Sequence, residues 1–256
     1  MTPLLAAAIG AVVFLTSAIS GIFGMSGGMI LMGFLAWVLP VSAAMMLHGA
    51  TQAAANGYRA VLNRADIDWR IFGRYIIGSM LGLALLTAIA YVPDKVTMYL
   101  LLGLVPFAAA AVPQRWALDV TKRGAAEICG FLVTLLNLSA GVAGALLDVF
   151  FVRTSLTRHQ VVATKAVTQT LSHILKLVYF GLILRVAADE TAGAGPAAVL
   201  PWWIFLAVIP LSMAGTTAGK KVLDRMTDSN FRVWSQRITL AIGAVLLWRG
   251  LSLLVA

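Results

Sequence analysis

The first 58 residues contain no Asp, Glu, Lys or Arg, and further uncharged stretches cover 75–93, 96–114, 128–147 and 191–219. Each is close to or longer than the ~20 residues a helix needs to cross the hydrocarbon of a bilayer. Such a chain folds in a membrane and leaves little sequence for a water-soluble domain. Composition agrees: 11% of residues are charged, against roughly 25% in soluble domains. The formal net charge of +9, from 19 Lys and Arg against 10 Asp and Glu, would suggest nucleic acid in a soluble protein. Most of the basic residues here lie in short connections between apolar runs, where they mark the cytoplasmic side, so nucleic-acid binding is disfavoured. The single cysteine, Cys129, sits inside an apolar run, which offers neither a disulfide framework nor a zinc motif; no cofactor is expected. The N-terminus lacks a basic region before its apolar stretch, so that stretch reads as a retained span.

Uncharged runs and loop signals divide the chain into segments at about 4–22, 28–39, 42–62, 71–91, 96–113, 124–139, 144–152, 159–184, 200–220 and 233–254. The segments are internally related. A shift of 117 places Gly24 and Gly27 on Gly141 and Gly144, Phe34 on Phe151, and Thr51-Gln52 on Thr168-Gln169. The same shift pairs His48 with Lys165, Asn56 with His173, and Arg59 with Lys176. A shift of 133 aligns Ser79-Met80 and Gly82 with Ser212-Met213 and Gly215. Weak internal similarity of this kind is the mark of a transporter built from two related halves.

Charge gives their relative orientation. The connection after the 42–62 segment is basic (Arg64, Arg70, Arg74), whereas its counterpart in the second half holds Asp189 and Glu190 with only Arg185. Conversely, the basic connections of the second half, Arg153 to Arg158 and Lys220 to Arg237, have nearly uncharged counterparts in the first. The bias flips, so the halves point in opposite directions across the membrane. The expected fold is therefore an all-α integral membrane protein of two inverted repeats, each of about four to five hydrophobic segments. Residues 1–112 form the N-terminal repeat, 113–123 a cytoplasmic connector and 124–256 the C-terminal repeat. The first segment of each repeat is broken at a glycine-rich tip, Gly24-Met25-Ser26-Gly27-Gly28 and Gly141-Val142-Ala143-Gly144. This arrangement puts 63–70 and 114–123 in the cytoplasm and 185–196 outside.

A helix broken at membrane depth is tolerated where it is buried in protein or lines a wet cavity. The amide groups that start the next helix attract anions. Gly24, Ser26, Gly27, Gly28, Gly141 and Gly144 are thus candidate substrate-binding positions, although close helix packing would also explain small residues at this spacing. His48, Thr51, Gln52, Asn56 and Arg59 fall within an arc of roughly 140° on one helix. Lys165, Thr168, Gln169, Ser172, His173 and Lys176 repeat the arrangement on another. Basic groups at membrane depth usually face an interior or a wet pathway, but Arg59, Lys165 and Lys176 are also placed to snorkel to the interface. Asp148 is suited to neutralise Lys165 or Lys176, or to carry a proton. The constellation is net basic, which favours an anionic ligand over a cation.

These features, a glycine-rich interruption in the first span, a small-residue helix ending in a basic position before Asp66-Ile67-Asp68-Trp69, and a repeat of both, resemble the sulfite exporter TauE/SafE family of membrane permeases over essentially the full length. The resemblance implies transport of small sulfur-containing anions, such as sulfite, thiosulfate or organosulfonates, across a bacterial inner membrane. It departs from the family habit at Gly141-Val142-Ala143-Gly144-Ala145, which is poorer in glycine and is followed by Asp148. In the scheme this implies, the anion lies between the tips and is held by backbone amides and by Thr51, Gln52, Thr168 and Gln169. His48, Lys165, His173 and Lys176 balance its charge, and rocking of the halves exposes the site alternately. A histidine near neutral pKa offers a route to proton coupling. Three rival readings predict other behaviour. An intramembrane serine protease would use Ser26 in Gly24-Met25-Ser26-Gly27 with His48 or His173 as base; a channel would pass small neutral solutes; a structural subunit would carry no flux.

Overall fold

The computed structural model describes residues 1–23, 26–184, 200–223, 225–226 and 228–255, without the side chains of 114 and 228–232. The described residues form ten helices: α1 (Pro3–Phe23), α2 (Ser26–Val38), α3 (Val41–Leu62), α4 (Trp69–Ala88), α5 (Lys95–Ala111), α6 (Ala125–Ala140), α7 (Gly144–Phe151), α8 (Arg158–Val178, prolonged by a π-turn at Tyr179–Ile183), α9 (Trp202–Leu223) and α10 (Asp228–Val255). Each of the ten segments expected from the sequence is a helix. Five of them, α1, α4, α8 with its π-turn, α9 and Val233–Val255 of α10, are long and apolar enough to cross a membrane. Three, α2, α5 and α6, are apolar but shorter, and α7 has only 8 residues, a length of roughly 12 Å.

Local chemistry sets the helix ends. The Asp68 carboxylate accepts from the backbone N–H groups of Arg70 and Ile71, both at 3.0 Å, and starts α4. Asp94 starts α5 by accepting from the Thr97 N–H at 2.8 Å and the Thr97 hydroxyl at 2.7 Å, which hold its carboxyl below the ordinary range. Thr157 and Gln160 form a reciprocal capping box at the start of α8. At the second glycine break, Gly141 adopts φ 83° and ends α6 while its N–H returns to Asn137 O at 3.0 Å. That left-handed conformation costs other residues about 1–2 kcal/mol. The break expected there is present. The first break falls where α1 gives way to α2, and Gly24 lies outside the described residues, as does the 185–196 connection.

The molecule carries polar groups inside and apolar groups outside. Leu4, Trp202 and Trp248 are among the exposed side chains, whereas His48, Thr51, Thr168 and Lys176 are fully buried. Such a surface suits a hydrocarbon solvent.

Helix pairing is extensive between α1 and α9, α4 and α6, α5 and α10, and α3 and α8. Glycines on these faces give the directions. Along α1 and α9, Gly10 faces Leu211, Phe14 faces Gly215 and Ala18 faces Gly219, so the pair is parallel. Along α4 and α6, Gly78 faces Glu127 and Gly82 faces Phe131 and Thr134, again parallel. By contrast, Gly49 faces Leu177 while Gly57 faces Thr170, so α3 and α8 are antiparallel. Gly103 faces Leu247 and Gly250 faces Leu100, which makes α5 and α10 antiparallel as well. Exchanging the first five helices for the last five leaves this set of pairs unchanged. The shift of 117 carries Val41, the first residue of α3, onto Arg158, the first of α8, and the shift of 133 carries Trp69 of α4 onto Trp202 of α9.

Candidate functional site

The antiparallel crossing of α3 and α8 brings the two polar faces together at the centre of the molecule. His48 Nε2 donates to Gly28 O at 3.0 Å, which leaves Nδ1 to accept from Lys176 Nζ at 2.9 Å. The same ammonium donates to Gly141 O at 2.7 Å and reaches Asn137 Oδ1 at 3.4 Å. One hydrogen-bonded chain thus links the two broken segments, from the start of α2 to the end of α6. Asn137 Nδ2 donates in turn to Ser172 O at 2.8 Å, and the Tyr75 and Ser172 hydroxyls lie 2.6 Å apart. The His48 and His173 rings meet edge to face, with centroids 5.5 Å apart.

Beside this chain lies a small cavity of ≈ 20 Å³, bordered by Gly28, His48, Gln52, Asn137, Gly144, Gln169, Ser172 and His173 among others. Its volume fits about one water molecule. Gln52, Gly144 and Gln169 also border a much larger cavity of ≈ 610 Å³. The large cavity runs between the C-terminal halves of α1, α3 and α9 and the N-terminal halves of α7 and α8, past Asn56, Arg59, Asp148, Lys165 and Lys220, to Asn63 and Leu223. Among the described residues its charged lining comprises three cations, Arg59, Lys165 and Lys220, and one carboxylate, Asp148, which pairs with Lys165. Two buried polar atoms beside these spaces, Gln52 Nε2 and His173 Nδ1, have no hydrogen-bond partner among the described residues. The start of α7 at Gly144 likewise has no side-chain cap. The arrangement can hold an anion against amide groups and cations.

Of the candidates from the sequence, Gly28, His48, Gln52, Asn56, Gly144, Lys165, Gln169 and His173 line one or both cavities, with Asp148. The others are placed differently. Thr51 and Thr168 turn their hydroxyls to Leu47 O at 2.8 Å and Lys165 O at 3.0 Å, within their own helices. Lys176 neither snorkels nor lines either cavity, being wholly buried in the linking chain. Gly141 contributes its carbonyl to that chain and packs against Met32. Gly27 packs against α1, where a Cβ would overlap Thr16 O. Ser26 shares a hydrogen bond of 2.7 Å with Thr239 and bonds to no histidine among the described residues, so the protease geometry is absent among them. Two cations of the large cavity did not stand out in sequence. Arg59 reads equally well as a snorkelling residue, and Lys220 as part of a basic connection; the common polar face with Gln52 was the one available signal for Arg59.

The chain matches the family model described as Sulfite exporter TauE/SafE over residues 9–246. No curated protein and no solved structure matches it. Membership accounts for the apolar helical architecture and excludes an enzyme such as a protease. A membrane-embedded bundle with a cationic central cavity and a match across nearly its whole length identifies the chain as belonging to the sulfite exporter TauE/SafE family of membrane transporters.

Proposed function

We propose that this transporter carries a small sulfur-containing oxyanion, such as sulfite or an organosulfonate, across a bacterial inner membrane, and binds it where Gln52, Gln169 and the start of α7 meet. The observation that carries this reading is the convergence there of two glutamines from related positions, one with a buried amide nitrogen unpartnered among the described residues, beside a cavity lined by Arg59 and Lys165. A sulfonate or sulfite group takes hydrogen bonds from several directions at once, as two side-chain amides and a helix start supply them.

In this reading 1–112 and 124–256 are inverted repeats joined by 113–123. Two related halves with an axis along the membrane normal would hold equivalent helices parallel, whereas α3 with α8 and α5 with α10 are antiparallel. The large cavity extends to helix ends followed by Arg64, Arg70 and Arg225, the side assigned to the cytoplasm. The site is therefore open inward, and the His48–Lys176 chain closes the opposite side by holding Gly28 to Gly141. Rocking of the halves breaks that chain and opens the outer path. His173 is the proposed proton carrier, with its Nδ1, unpartnered among the described residues, beside the small cavity.

The test is flux of labelled sulfite, sulfoacetate and lactate into proteoliposomes of the purified protein. Saturable flux of a sulfur oxyanion, driven by an imposed pH gradient and not matched by lactate, is expected. Passive flux of neutral solutes, or none of any sulfur oxyanion, rejects the reading. Flux indifferent to collapse of the pH gradient removes the proton alone.

A further inference from the structure

We infer that Asp148 is a tethered stand-in for the transported anion: its carboxylate occupies Lys165 while the site is empty, and the substrate displaces it. The inference rests on the proposed anion site and names what fills that site between turnovers. Asp148 and Lys165 face each other across the wall of the large cavity rather than in the packed interior, with side chains 44% and 26% exposed. A solute reaches both. Lys165 is the one hydrogen-bond partner of the Asp148 carboxylate among the described residues, so nothing else fixes it in place. An ion pair this exposed contributes little to stability and is readily exchanged for another.

Position reinforces the point. Asp148 stands one helical turn after Gly144, so the carboxylate and the start of α7 lie on one face of a short helix. An anion drawn to that helix start arrives beside the Asp148–Lys165 pair. The fold itself does not require an acid here, because the shift of 117 that relates the halves puts Asp148 on Leu31, a fully buried core residue. The carboxylate is a feature of one half alone, beside a lysine whose counterpart, His48, is held by Gly28 and Lys176. When the substrate takes Lys165, the freed carboxylate swings toward the open cavity, where Arg59 and Lys220 also lie. Exchange of one anion for another at Lys165 avoids leaving an unpaired cation at membrane depth in the empty carrier.

The test measures sulfite binding by calorimetry on purified full-length protein, comparing wild type, Asp148→Asn, Lys165→Gln and the double variant, with Asp148→Ser as a second removal of the carboxylate. Removing the competitor tightens sulfite binding by about fivefold, the scale of one partly exposed ion pair, in whichever of the two Asp148 variants is folded. In the Lys165→Gln background the same change has no effect, because the carboxylate then has nothing to block. Binding in the Asp148 variants that is equal to or weaker than wild type overturns the inference. So does a tightening that persists undiminished without Lys165, which would reflect general charge in the cavity. Wild-type protein that binds no sulfur oxyanion rejects the anion site itself, and is thereby distinguished from failure of the stand-in alone.

Discussion

Alanine at Lys165 or Gln169 is expected to cut transport of the sulfur oxyanion by about 10- to 100-fold, the range that follows from losing a hydrogen bond to a charged group. The two residues lie one turn apart on α8 and both line the large cavity, and Gln169 also borders the small one. Removal of either leaves the anion with fewer donors. Gln52→Ala has an effect of similar size, because its buried Nε2 lacks a partner among the described residues. Valine at Thr51 or Thr168 serves as the comparison. Those hydroxyls are already spent on Leu47 O and Lys165 O, and flux should stay within about twofold. Initial rates in proteoliposomes, normalised to inserted protein, check both expectations. Unchanged flux in the Lys165 and Gln169 variants, or a large loss in the threonine variants, would move the site elsewhere.

The second large effect is on stability. A Cβ at Gly130 would overlap Tyr75 O, one at Gly78 would overlap Glu127 O, and one at Gly219 would overlap Ala18 O. These are backbone-to-backbone approaches within the parallel pairs α4 with α6 and α1 with α9, and no rotamer change relieves them. Association of helices in lipid depends on such close packing because burial of apolar surface gives no net drive. Gly130→Ala should cost about 1–3 kcal/mol by overpacking, and Gly130→Leu should yield little monodisperse protein. Gly73 supplies the contrast: on α4, a Cβ there meets nothing, and alanine is expected to stabilise by up to ~1 kcal/mol. Thermal unfolding followed by size-exclusion in detergent separates these outcomes.

Much of the fold was legible because membrane helices announce themselves by what they lack. The positions of all ten helices follow from uncharged runs and loop residues, and the second break follows from Gly141 and Gly144. The glutamine pair was also legible, since a matched polar Thr-Gln on two apolar helices has few structural excuses. What periodicity could not separate is which polar residue of a wide helical face meets the cavity. A threonine always has the carbonyl of the preceding turn within reach, so Thr51 and Thr168 look functional in sequence and satisfy themselves in structure. Lys176 and Lys165 have equal claims by pattern. The near approach of Gly141, Asn137 and His48 buries the first, while the second faces open space with Asp148. Ser26 pairs with Thr239, 213 positions away, a contact no local pattern reports.

The central claim is that the space between α3 and α8 holds the transported anion, and a cysteine at Val162 tests it most directly. Val162 lines the large cavity one turn before Lys165 and is 43% exposed, and replacing the buried native Cys129 with alanine leaves one reactive thiol. A small membrane-impermeant thiol reagent added from the cytoplasmic face should modify the cysteine, and sulfite should protect it at concentrations that saturate transport. Modification that proceeds at the same rate in saturating sulfite, in a variant that still transports it, would contradict the account.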